Sequence, residues 1–187
     1  MTTIIRPMTT RPTLTRRATL SAAAVALLAG CASGEMASAP PRQSDVDLLN
    51  IALGLEYEAI AAYQLGAESK LLQPAVLQVA VAFQSDHKEH AALLDKTIRG
   101  LGGRPVEAKA VKDYGFRTDR LTDQAAVLAF AAELEKGAAS AYLSTVPVFQ
   151  NRDLAKAAAS ILGAETQHWA ILRNALGQPP VPGPFIS

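Results

Sequence analysis

The sequence predicts an all-α protein, built as a four-helix bundle with one long connection between its second and third helices. Three observations predict it. From Asp45 onward, apolar residues recur at spacings of three and four, rich in Ala and Leu with few β-branched runs. The helical stretches fall into two pairs with short internal breaks, separated by about twenty residues without a clear period. Of 187 residues, 49% are apolar and 19% charged, which suits one buried core and excludes a disordered polyampholyte.

The first helix is expected over 44–69, with Ser44 or Asp45 as its cap. Pro74 suits the first turn of the second, which continues to about Leu101 and is stopped by Gly102-Gly103. Residues 102–121 carry Gly, Pro and scattered charges and read as a long connection. The third helix is expected over 122–145, capped by Thr122 or Asp123, with Pro147 following. The fourth runs over 151–176 and ends at Gly177. The tail 177–187 is too rich in proline for a helix. An up-down-up-down bundle needs only a short middle loop, so the long one points to a crossover.

The first 31 residues read as an address. They hold Arg6, Arg11, Arg16 and Arg17 and no acid. The whole chain is +1, but without these arginines it has 14 basic against 17 acidic residues, a net −3. Neither value suggests a nucleic-acid partner. Arg16-Arg17 precedes an apolar run, Leu20 to Gly30, that is too short to span a bilayer as a helix. Leu28-Ala29-Gly30-Cys31 resembles a bacterial lipobox, in which the cysteine is acylated and becomes the N-terminus. The arginine pair resembles a twin-arginine signal, although Thr19 stands where a large apolar residue is usual, so a general secretory route stays open. The expectation is a protein of the cell envelope, on its periplasmic side, anchored through Cys31 by a tether over 32–43. Ala32 after the cysteine resembles lipoproteins sent to an outer membrane, where the host has one. Cys31 is the one cysteine, so an internal disulfide and a thiolate zinc cluster are excluded.

The inward stripe of each helix is apolar except near its middle. The first carries Leu49, Leu53, Glu56, Ile60 and Tyr63; the second Val76, Val79, Phe83, His87, His90 and Leu94. The third carries Leu128, Ala131, Glu135, Ala138 and Tyr142; the fourth Leu154, Ala158, Ile161, Glu165, His168 and Leu172. A buried unpaired carboxylate costs several kcal/mol. No Lys or Arg lies on these stripes, so a bound cation is the simplest compensating charge. All three histidines of the chain fall on them.

An internal repeat sharpens this. Leu55-Glu56-x-x-Ala59-x-x-Ala62-Tyr63 matches Leu134-Glu135-x-x-Ala138-x-x-Ala141-Tyr142. His87-x-x-His90-x-x-x-Leu94 parallels Glu165-x-x-His168-x-x-x-Leu172. The chain reads as a duplicated helical hairpin, each copy giving one Glu and an i, i+3 pair on one helix face.

These residues resemble the ferritin-like superfamily, which includes rubrerythrins and bacterioferritins, over roughly 44–176. That family places a Glu on each of two helices and Glu-x-x-His on each of the other two, around a pair of metals. The resemblance implies Glu56, His90, Glu135, Glu165 and His168 as ligands, and Tyr63 as a tyrosine beside the metals. It implies dinuclear Fe, with Mn, Zn or Cu as other occupants. One position departs: His87 stands where the family has Glu. Three readings follow. His87 is a terminal ligand and Glu165 the main bridge; Asp86 or Glu89 swings in; or one metal, or a different one, binds.

Tyr63 and Tyr142 are either redox-active catalytic groups or core aromatics with bonded hydroxyls. Trp169 reads as packing, and Glu58 and Glu133 as solvated faces, with Glu133 in reserve if the third helix is set in another register. The resemblance implies an oxidoreductase that reacts with oxygen or peroxide. A metal-binding or storage module without turnover, and a structural envelope protein with a degenerate site, are the alternatives. A closed cage is disfavoured by a lipid anchor on each subunit, and a homodimer is one assembly left open. A nucleotide-binding Gly-rich loop, a Ser nucleophile elbow and a paired-cysteine motif are absent from the sequence.

Overall fold

The computed structural model describes residues 44–186. The leader, Cys31 and the tether therefore lie outside the described residues. Four α-helices carry the fold: α1 (Asp45–Glu68), α2 (Pro74–Gly100), α3 (Gln124–Thr145) and α4 (Arg152–Ala175). None is long and apolar enough to cross a membrane.

Each start is fixed by local chemistry. Ser44 is the cap of α1: its hydroxyl accepts from the Asp47 amide at 3.2 Å while the Asp47 carboxylate accepts from the Ser44 amide at 3.3 Å. Asp45, the other candidate cap, instead accepts from the amides of Gln150 and Asn151 at 2.8 and 3.0 Å. It thereby ties the start of α1 to the start of α4. Pro74 opens α2. Asp123 caps α3 through the Ala126 amide, and Asn151 caps α4 through the Asp153 amide. Beyond the end of α2, Gly102 adopts φ 78°. A side chain at Gly103 would come within 2.6 Å of Val46, so glycine there lets the chain turn close against α1.

Two apolar clusters define the topology. One gathers Leu49 and Leu53 from early α1, Leu94 and Ile98 from late α2, Tyr142 from late α3, and Ala158 and Ile161 from early α4. The other gathers Tyr63 from late α1, Phe83 from early α2, Leu128 and Ala132 from early α3, and Leu172 from late α4. Helices α1 and α4 therefore run one way, and α2 and α3 the other. The chain must travel the length of the bundle between α2 and α3. The expected crossover is present. It is not featureless, because 3₁₀ turns form at Val111–Tyr114 and Thr118–Arg120. The side-chain amide of Asn50 clamps it to α1, donating to the Arg104 carbonyl at 3.1 Å and accepting from the Val106 amide at 2.8 Å.

The stripes read from the sequence face inward with one exception. Val79 is 37% exposed and lies on the rim of an apolar cavity at the end of the bundle. Between the two clusters lies a band of buried ionisable groups.

Candidate metal centre

The band holds Glu56 of α1, His87 and His90 of α2, Glu135 of α3, and Glu165 and His168 of α4. Glu165, Glu135, His87 and Glu56 are each at most 2% exposed. Spacing explains the convergence: each residue sits mid-stripe, and an i, i+3 pair on one helix presents two donors to the same space.

His87 is at the middle. Its Nδ1 lies 2.9 Å from Glu56 Oε2 and its Nε2 lies 3.2 Å from Glu135 Oε1. Glu165 is split in the same sense. Its Oε1 lies 3.1 Å from His90 Nδ1, and its Oε2 lies 3.7 Å from His168 Nδ1. The donors thus form two quartets, one of Glu56, His87, His90 and Glu165, the other of His87, Glu135, Glu165 and His168. Within each, the ligand atoms lie within 4.8 Å of one another. His87 and Glu165 belong to both. Asp86 and Glu89 belong to neither, so the reading in which one of them swings into the pocket is not what the structure shows.

The donor chemistry fits a cation in either quartet, His87 serving one of them, since a neutral imidazole has one lone pair. With bonds of about 2.1 Å, two ligands of one metal stand about 3.0–3.4 Å apart. His90 Nδ1 lies 3.4 Å from Glu56 Oε2, and His168 Nδ1 lies 3.5 Å from Glu135 Oε1. Among the described residues, five buried side-chain atoms have no hydrogen-bond partner: His90 Nδ1, His168 Nδ1, Glu135 Oε2 and both oxygens of Glu165. Buried polar atoms are almost always satisfied, so these five are open to a cation or to protons shared between the histidines and the carboxylates.

The tyrosines are reciprocal. Tyr63 of α1 donates to Glu135 Oε1 of α3, and Tyr142 of α3 donates to Glu56 Oε1 of α1 at 2.6 Å. Each hydroxyl fixes the carboxylate of the other repeat. Burial, then the charge of the adjacent carboxylate, pushes both phenols far above their usual range, so they keep their protons.

Sequence reasoning missed the role of Asp86. Its Oδ2 accepts from Nε2 of His168 at 3.1 Å. That bond holds a proton on Nε2, so that in the neutral ring the Nδ1 lone pair is the one facing the pocket. Phe83 stacks on the same imidazole at 4.0 Å. The signal was present in the sequence as an acid one residue before His87, but its partner is on another helix.

The electrostatics show how the pocket balances itself. Burial lowers the His87 pKa, but its bonds to Glu135 and Glu56 outweigh that and raise it to about 10. The same contest raises His90 and His168 to about 9 each, through Glu165 and Glu56 and through Glu135 and Glu165 respectively. Burial pushes the Glu56 and Glu135 carboxyls up, yet hydrogen bonds from the histidines hold both below the usual range. Three imidazolium ions can therefore neutralise three carboxylates. A bound cation, the simplest compensating charge on the sequence, is thus joined by a second one, the protons on the histidines.

The ferritin-like domain family matches residues 44–178. Among solved structures, the chain is similar to a conserved hypothetical protein of Mycobacterium tuberculosis, with TM-score 0.62 and 20% identity over 74% of this chain and 94% of that one. It is also similar to ferritin-like diiron-carboxylate proteins of Bacillus anthracis, with TM-score 0.60 and 23% identity over 70% of this chain and 94% of that one. No curated protein matches the sequence.

Proposed function

Because the chain belongs to the ferritin-like domain family, we propose that its central pocket binds two divalent transition-metal ions and serves redox chemistry on a small oxidant. The observation that carries this is the pair of donor quartets sharing Glu165. Iron is the first candidate. The description of the Bacillus anthracis relatives as diiron-carboxylate proteins supports it, while three imidazoles keep Mn, Zn and Cu in play. A redox-active pair held there would exchange electrons with oxygen or peroxide.

The chain's own residues do the rest. Glu165 presents one oxygen to each quartet. Tyr63 and Tyr142 hold Glu135 and Glu56 in orientation and keep their protons at Oη, and their oxidisable rings border the donor band. Asp86 holds the proton of His168 at Nε2. The two apolar clusters keep bulk water from both ends of the band. The reading includes export and anchoring through acylated Cys31, supported by the lipobox-like sequence alone.

A second reading is favoured by one observation. Three raised imidazole pKa values match three carboxylates, which suits a structural envelope protein with no metal. Elemental analysis of the purified protein after loading separates the two. About two equivalents of Fe or Mn, lost in Glu165→Ala, support the dinuclear centre; no bound metal supports the structural protein. Peroxide consumption by the loaded protein then distinguishes turnover from storage. Mass spectrometry of the membrane fraction tests for acylated Cys31.

A further inference from the structure

A cavity of about 120 Å³ lies between α1 and α3, with His87 and Glu135 in its lining. It brings the donor band toward the bundle surface between these two helices, while His90, 16% exposed, approaches the surface elsewhere. Glu58 and Glu133 also line it, and no Lys or Arg does. We propose that this cavity is the route by which divalent cations reach the centre, with Glu58 and Glu133 as transit carboxylates. The inference rests on the metal-binding reading above.

Three observations carry it. The first is a buried acceptor at the inner end: Glu135 is 1% exposed and its Oε2 has no hydrogen-bond partner. A carboxylate oxygen in that state is a place for an arriving cation to bind. The second is the mouth, where Glu58 is half-buried and Glu133 exposed. Carboxylates in a concave, low-dielectric wall focus the field and raise the local cation concentration.

The third is the sequence of the walls. The cavity sits on the pseudo-twofold relating the hairpins, and the repeat supplies both sides: Leu55 with Leu134, and Ala59 with Ala138. The small side chains of Ala59 and Ala138 leave space between the two helices. Each mouth acid has a glycine as its repeat counterpart, Gly137 for Glu58 and Gly54 for Glu133. Glycine inside a helix is destabilising by about 0.5–1 kcal/mol relative to alanine. A side chain at Gly137 would meet nothing within 4 Å, so packing does not demand glycine there.

The test is the rate at which the purified metal-free protein takes up Co(II), followed by the visible absorption of the bound ion in a stopped-flow instrument. The variants are Glu58→Gln with Glu133→Gln, and Gly137→Leu, which plugs the mouth. Glu107→Gln with Asp113→Asn, on the crossover, controls for net charge. The expected result is a slowing of about ten-fold at low salt in the double mouth variant, with unchanged final absorbance and little remaining salt dependence. Gly137→Leu should slow uptake at every salt concentration, and the control pair should match the wild type. Unchanged rates in both mouth variants overturn the proposal while leaving the metal centre standing. Loss of final absorbance in the double mouth variant also overturns it, by making those acids ligands. Failure of the wild type to bind Co(II) at any time overturns the metal reading itself.

Discussion

Asp86 reaches from α2 to α4 and accepts the Nε2 proton of His168 at 3.1 Å, while the other nitrogen of that ring faces the donor band. The acid itself is 52% exposed. One carboxylate at the surface thus sets the tautomer of an imidazole that is nearly buried.

Asp86→Asn should therefore weaken metal binding without unfolding the bundle. An outer-sphere partner of a metal-bound histidine is worth about 10–100-fold in affinity. Competition with a chelator of known affinity measures this, and thermal unfolding of the metal-free variant should stay close to wild type.

Glu165→Gln should cost more metal than Glu56→Gln or Glu135→Gln. Glu165 offers an oxygen to both quartets, whereas each of the others serves one. Elemental analysis should show both equivalents lost or weakened in the first variant and one in each of the others. Equal losses in all three would contradict the shared role of Glu165.

Tyr63→Phe and Tyr142→Phe should behave alike. Each removes the hydroxyl donor of a buried carboxylate, at a cost of about 1–3 kcal/mol. Chemical denaturation of the metal-free protein checks the size, and the near-equality of the two checks the reciprocity.

How much of this was readable in advance depends on how far each interaction reaches along the chain. The helix starts at Ser44 and Asn151 rest on partners two or three residues away, and the six donors lie on local stripes, so period and capping rules find them. The repeat even predicted that Tyr63 and Tyr142 would be equivalent. What each tyrosine bonds was hidden, because Glu135 is 72 positions from Tyr63 and Glu56 is 86 from Tyr142. Asp86 was hidden for the same reason, and so was the exposure of Val79 beside the apolar cavity at one end of the bundle. The central place of His87 followed from its stripe, but its use of both ring nitrogens required the third dimension.

The metal-free protein should lose stability as pH rises. The folded pKa values of His87, His90 and His168, about 10, 9 and 9, lie above the ordinary imidazole value of about 6.5. Groups raised on folding stabilise fully below their unfolded pKa, and the contribution is lost as pH climbs through the folded values. The melting temperature should fall between about pH 6.5 and 10. Bound metal takes the place of the histidine protons, so loaded protein should lack this decline.

His87→Glu should reverse the balance. It adds a fourth buried carboxylate and removes the central imidazolium, which destabilises the metal-free protein by about 3–5 kcal/mol. Loading should recover that loss, and the shift in melting temperature with metal should exceed that of the wild type.

The crossed tyrosines carry a consequence for ancestry and for engineering. Neither hairpin holds a finished site: each supplies half of the donors and a hydroxyl that points at the other's acid. A half-length forebear of this chain could have worked only as a pair of identical copies, and the crossover made that pairing permanent. Cutting the chain within the crossover should return it to that condition, giving two fragments that are each incomplete and regain the centre on mixing.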